Sequence, residues 1–105
     1  MGTVKKGGRE YWNSRAQDYP RYKEGEDGLE AWVLRLAHEN GVDFKGKSVL
    51  DVGCGSGKFT IRIAREAASV LGTDISDEML RILKEDAEAQ GLANIECVCA
   101  GWDAF

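Results

Sequence analysis

The densest chemistry in the chain lies in residues 49–60, Val-Leu-Asp-Val-Gly-Cys-Gly-Ser-Gly-Lys-Phe-Thr. Glycines at 53, 55 and 57 follow a short apolar run, and Asp51 stands two residues before the first of them. Glycine at such points lets the backbone turn sharply and lets a ligand approach the main chain with no Cβ in the way. A phosphate-cradling P-loop needs G-x-x-x-x-G-K followed by Ser or Thr. Gly57-Lys58 is present, but Val52 and Phe59 fill the other two required positions. A dinucleotide fingerprint starting at Gly53 needs its third glycine at 58, where Lys58 stands. The spacing is G-x-G-x-G, a different turn. Asp51 separates the readings further. A fixed carboxylate there repels a pyrophosphate by about 1–4 kcal/mol at ~4 Å, and it favours a ligand carrying positive charge. The competing assignment for Asp51 is a solvated or supporting acid.

A second acid lies in Gly72-Thr73-Asp74-Ile75-Ser76. Asp74 follows Gly53 by 21 residues, about the distance at which α/β nucleotide sites place an acid to accept from ribose hydroxyls. The alternative is a turn carboxylate capping the next helix. The thiols of Cys54, Cys97 and Cys99 carry less. An odd count behind a polar N-terminus with no signal-like apolar run points to a reducing, cytoplasmic setting. Cys97 and Cys99 share one face of a strand, but a metal would need two further ligands. The only histidine, His38, sits far away in a helical segment. The cysteines therefore read as buried apolar thiols, His38 as a solvated helix-face residue, and no metal is expected. No side chain stands out as a general base.

Positioning these residues falls to a simple series of elements. Residues 1–8 are polar and read as a disordered start, and Arg9 to Tyr22 as a short aromatic-rich helix stopped near Pro20. Leu29, Trp32, Val33, Leu36 and Ala37 form one apolar helical stripe, with Asp27 and Glu30 as a capping box and Asn40-Gly41 as the stop. Residues 9–44 thus form an N-terminal helical part. From 45 to 105 the pattern is β-α-β-α-β: strand 48–53, helix 57–67, strand 68–75, a helix capped by Ser76, and strand 94–100. Met79, Leu80, Leu83 and Ala87 are the sheet-facing side of that last helix. Strands alternating with such helices predict an α/β, doubly wound parallel sheet.

Asp51-Val52-Gly53-Cys54-Gly55-Ser56-Gly57, backed by Asp74, resembles the first motifs of the class I, Rossmann-like S-adenosylmethionine-dependent methyltransferases. The resemblance runs from about Tyr11 to Phe105 and covers the cofactor half of a seven-stranded fold, with three strands in the order 3-2-1. It implies S-adenosyl-L-methionine as cofactor, held by Asp51, Gly53, Cys54, Gly55 and Gly57, with Asp74 on the ribose and Ile75 against the adenine. It implies Asp103 as acceptor from the adenine amino group and Trp102 flanking the base, unless Asp103 is an ordinary loop acid. Tyr11 and Arg15 resemble a lid helix that shields the sulfonium and pairs the methionine carboxylate, or else simply pack on the surface, as is expected of Trp12. The function implied is methyl transfer to a small-molecule acceptor. The alternative is a non-catalytic module that binds S-adenosylmethionine or another adenosine ligand, and a nicotinamide enzyme survives only on fold analogy.

Composition narrows the partners. A net charge of −4 with no basic cluster argues against direct nucleic-acid binding. No apolar run approaches the ~20 residues of a membrane span. In a three-stranded sheet the first strand becomes an edge. An apolar edge invites pairing, so the 105 residues are expected either to belong to a longer protein or to self-associate there.

Overall fold

Two helices lead into three parallel strands joined by two helical crossovers. The computed structural model describes residues 8–25 and 28–101. Asp27 of the expected capping box, residues 1–7 of the disordered start expected at 1–8, and Trp102 and Asp103 lie outside the described residues; Gly8 is the extended N-cap residue of the first helix. The elements are α1 (Arg9–Arg15), α2 (Leu29–Glu39), β1 (Ser48–Val52), α3 (Thr60–Ala64), β2 (Ser69–Asp74), α4 (Asp77–Ala89) and β3 (Ile95–Cys99). β2 is central and both pairings are parallel, which is the order 3-2-1 read from the far edge. In register, Val49 lies beside Val70 and Val70 beside Ile95, while Asp51 lies beside Gly72 and Gly72 beside Cys97.

Side chains alternate across a strand, so these residues share one face, and the core is built on it. Ile61, Leu80, Leu83 and Ala87 form one buried cluster, touched by Cys54, Ile95 and Cys97. Ile63, Ala64, Ala67 and Val70 form a second, touched by Leu34 of α2 and by Val49. On the other face Leu50 and Val98 stay exposed. Cys54 and Cys97 are half-buried as expected of apolar thiols, but Cys99 is exposed. The expectation of three buried thiols is thus corrected at Cys99. The apolar cluster beneath α4 reaches Cys97 and no further along β3, leaving the Cys99 Sγ 3.5 Å from the Ile75 carbonyl.

Three elements depart from the periodicity. α1 ends at Arg15, four residues before Tyr19, and the chain passes through turns to Tyr19, where the following Pro20 disfavours helical backbone. From Pro20 to Gly25 the chain runs as a strap across α3 and α4. The apolar stripe of α2 is largely exposed at Leu29, Trp32 and Leu36; Ala31 and Leu34 do the packing instead. The cause is the edge: β1 has no further strand beside it among the described residues, so that side of α2 has no sheet to cover. α3 is shorter than expected, since Gly57 and its neighbours are spent on a turn. Ser76 caps α4 as expected, its Oγ accepting from the Met79 N–H at 3.1 Å.

His38 is more than a solvated face residue. Its Nδ1 lies 2.8 Å from the Val42 carbonyl and its Nε2 3.0 Å from a Glu66 carboxylate oxygen. Two acceptors favour the imidazolium, and the Val42 carbonyl foremost, then Glu66, raises the pKa above its ordinary 6.5. A raised folded-state pKa gives stability that is fully present below the unfolded value and lost as pH climbs through the folded one. Thermal unfolding is therefore expected to show Tm falling as pH rises above about 6.5. His38→Gln should flatten that slope, and an unchanged slope would assign the effect elsewhere.

Candidate functional site

The carboxyl ends of the three strands open onto a cavity of about 400 Å³, within the range of small-molecule sites. Val52, Gly53 and Gly55 form its floor, Asp74, Ile75 and Met79 one side, and Ala100 and Gly101 the side beyond β3. Trp12 and Tyr19 supply an aromatic wall.

The glycine loop is clamped where it leaves β1. The N–H groups of Gly53 and Cys54 both donate to the Thr73 carbonyl, at 2.7 and 2.9 Å. Gly53 and Gly55 then turn with φ of +74° and +56°, and a Cβ on either would meet nothing within 4 Å, so their cavity side is bare backbone. Gly57 is glycine for the opposite reason. At φ +90° a Cβ there would sit 2.1 Å from Leu83 Cδ1, so the loop rests directly on α4.

Both acids read from the sequence stand at this end of the sheet, in different roles. Asp74 lines the cavity. One of its oxygens accepts from the Gly55 N–H at 2.8 Å and the other from the Ser76 N–H at 2.9 Å. It thus serves as a turn carboxylate, and each oxygen keeps a further lone pair. Asp51 lies behind the loop rather than on the cavity surface and accepts from Thr60 Oγ1 at 2.7 Å. Burial pushes its pKa up; the Thr60 hydroxyl opposes this, and the negative charge of Asp74 adds to it. Among the described residues neither acid has a cationic partner. The Cys54 thiol is pushed far up by burial, with Asp51 and Asp74 adding, so it stays protonated and packs against Gly72. No group of three or more metal-ligating side chains occurs among the described residues.

The structure distributes the α1 residues differently from the sequence expectation. Trp12 and Ala16, four apart on one helical face, pack on Met79 and Ile82 of α4, and this brings Trp12 to the cavity. Tyr11 stands edge-on behind Trp12, ring centres 5.1 Å apart, and Arg15 is exposed away from the lining. Tyr19 follows at 6.0 Å from Trp12. The sequence reading missed Asn13, which fastens α1 to the start of α4. Its side-chain oxygen accepts from Ser76 Oγ at 2.5 Å and its Nδ2 donates to Asp77 at 2.9 Å. Arg9 adds a bond to the Ile75 carbonyl at 2.9 Å. A larger groove of about 540 Å³ between α2 and α3, near Leu34, Arg35 and His38, shares no residue with this cavity.

Comparison with known proteins gives this geometry a family. A family model described as a methyltransferase domain matches residues 49–105, more than half of the chain. The chain belongs to the methyltransferase domain family. The domain is 43% identical over 67 residues to a ubiquinone biosynthesis O-methyltransferase of Coxiella burnetii, covering 63% of this chain and 28% of that protein. It is 45% identical over 51 residues to a 23S rRNA (uracil-C5)-methyltransferase of Hahella chejuensis, covering 49% and 11%. Its backbone superposes on magnesium protoporphyrin IX methyltransferase of Synechocystis PCC 6803, a structure with bound SAM. The TM-score there is 0.60 at 26% identity, covering 88% of this chain and 51% of that one. The methyltransferase domain spans less than a third of the length of these two curated relatives.

The two kinds of glycine separate experimentally. Gly57→Ala, strained and in collision with Leu83, should cost about 3 kcal/mol of folding stability in denaturant unfolding. Gly55→Ala, whose φ an alanine tolerates for about 1–2 kcal/mol, should fold and lose ligand affinity instead. Equal stability of the two variants would contradict the assigned contacts.

Proposed function

We propose that this chain is the S-adenosylmethionine-binding portion of a methyltransferase acting on a small-molecule acceptor in the cytoplasm. The observation that carries the reading is the pair Asp51 and Asp74. Asp74 on the cavity wall and Asp51 behind the loop, neither with a cationic partner among the described residues, flank bare glycine backbone opposite an aromatic wall. That arrangement repels a pyrophosphate and suits a ligand with cationic and ribose groups. Asp74 keeps acceptor capacity for the ribose hydroxyls while holding Gly55 and Ser76. Ile75 and Met79 offer apolar contact to a base, and Asp51 gives the site a negative field from behind the loop. Trp12 and Tyr19 present aromatic faces that attract a sulfonium and exclude water. When bound, S-adenosylmethionine supplies a methyl already activated on sulfur, so the chain's own work is positioning and electrostatics. Tyr11 and Arg15, Trp102 and Asp103 remain proposed contacts of the same ligand.

A small-molecule acceptor is supported by the net charge of −4 and by relatives named for ubiquinone biosynthesis and magnesium protoporphyrin. Three free thiols support a reducing compartment, and among the described residues no helix is long and apolar enough to cross a membrane. The outer edge of β1, with Leu50 exposed beside it, is proposed to be paired in the working protein.

Calorimetry decides the ligand. S-adenosylhomocysteine is expected to bind and NAD not to; the reverse result sinks the reading. Asp74→Ala should weaken S-adenosylhomocysteine binding by about 1–3 kcal/mol, and an unchanged affinity removes the ribose role. For the edge, light scattering on the 105 residues alone should show self-association. A stable, well-folded monomer counts against it.

A further inference from the structure

Ser56 is almost fully buried, yet it lines no part of the cavity. Its neighbours in the loop, Gly55 and Gly57, face the ligand side and α4 respectively, and its hydroxyl points elsewhere. Ser56 Oγ donates to the carbonyl of Pro20, 36 residues earlier, at 2.7 Å. Pro20 follows directly on Tyr19 of the aromatic wall and opens the strap to Gly25. The rest of the strap is held by the helices. Tyr22 packs on the Ile61 and Leu83 cluster, with the guanidinium groups of Arg62 and Arg65 over its ring at 5.0 and 5.4 Å. Arg62 also donates to the carbonyls of Lys23 and Gly25, both at 3.0 Å, and Arg21 reaches Asp86 at 2.7 Å. Ser56 differs from all of these anchors, because it belongs to the glycine loop itself.

We propose that Ser56 is a positioning residue that couples the glycine loop to the aromatic wall, so that a ligand seated on the loop orders the segment Tyr19–Gly25. Three contacts make one mechanical path. The bare backbone of Gly55 meets the ligand, and Ser56 follows in the next residue. The hydroxyl then holds the Pro20 carbonyl, and Tyr19 moves with it. The bond is short and part-buried, and the Ser56 hydroxyl that makes it is itself buried with no other partner among the described residues. The loop therefore shifts together with Pro20, or that hydroxyl is left unpaired at the cost of a buried polar group. The inference rests on the cofactor reading for its ligand, and on the Ser56–Pro20 bond for its coupling.

Amide hydrogen exchange read by peptide mass tests it on the wild type and Ser56→Ala, with and without S-adenosylhomocysteine. Without ligand, the variant should exchange faster than wild type at Tyr19, the amide of this segment that donates to a backbone carbonyl, that of Ala16, while amides of β1, β2 and β3 keep their rates. Uniform acceleration through the sheet would mean that the hydroxyl merely supports the fold, and would overturn the proposal. With ligand, the wild type should gain protection over 19–25 and the variant should not. Ligand bound by calorimetry with no change in that segment would equally overturn it. If the wild type binds no S-adenosylhomocysteine, the cofactor reading falls and the ligand coupling with it, while the unliganded comparison still reads the tie. If the alanine variant does not fold, the wild-type ligand comparison decides alone.

Discussion

Leu83 occupies a notch made by two glycines. Its Cδ1 fills the space where a side chain of Gly57 would begin, and its Cδ2 lies 3.7 Å from the corresponding point on Gly72 in β2. A fully buried leucine seated on bare backbone from both the loop and the central strand draws α4 onto the sheet at its carboxyl end. Everything at the cavity follows from that approach. Ser76 then caps α4 within reach of Asp74, α1 finds Met79 and Ile82 to rest on, and Asn13 finds the helix start to grip. The loop does not shape the site by itself. It does so because one side chain presses it against the strand that carries the second acid.

The same compression sets the electrostatics. Packing at the strand ends half-buries Asp51 and keeps Asp74 near enough to be felt by it, and among the described residues Thr60 makes the only side-chain hydrogen bond to Asp51. A half-buried carboxylate held by one side-chain hydroxyl costs stability. The arrangement is a local conflict of the kind that concentrates at functional sites, where a ligand with the opposite charge relieves it.

Much of this was legible in the sequence because it rests on local rules. The glycine spacing, the separation of Gly53 and Asp74, the Ser76 cap and the inward face of α4 each follow from short-range geometry. Contacts across long stretches of chain were not legible. Asn13 meets Ser76 from 63 residues away and Ser56 meets Pro20 from 36, through single polar bonds with no periodicity to betray them. The choice between Trp12 and Tyr11 depended on which face of a two-turn helix meets α4, and both faces are aromatic. The stripe on α2 was correctly apolar, yet periodicity says nothing about whether a sheet lies beneath it.

Asn94, at the threshold of β3, joins that strand to the end of α3. Its Nδ2 donates to the carbonyls of Ala64 and Ala67, at 2.8 and 3.1 Å, and so satisfies the end of α3 from 30 and 27 residues further along. α3 has only five residues, too few to hold as an isolated helix. Its last turn is completed by a residue that arrives only when the third strand is docked. The crossover after the glycine loop therefore cannot mature ahead of β3. The unit from β1 to β3 should form in one cooperative step, with the glycine loop fixed only when all three strands are in place.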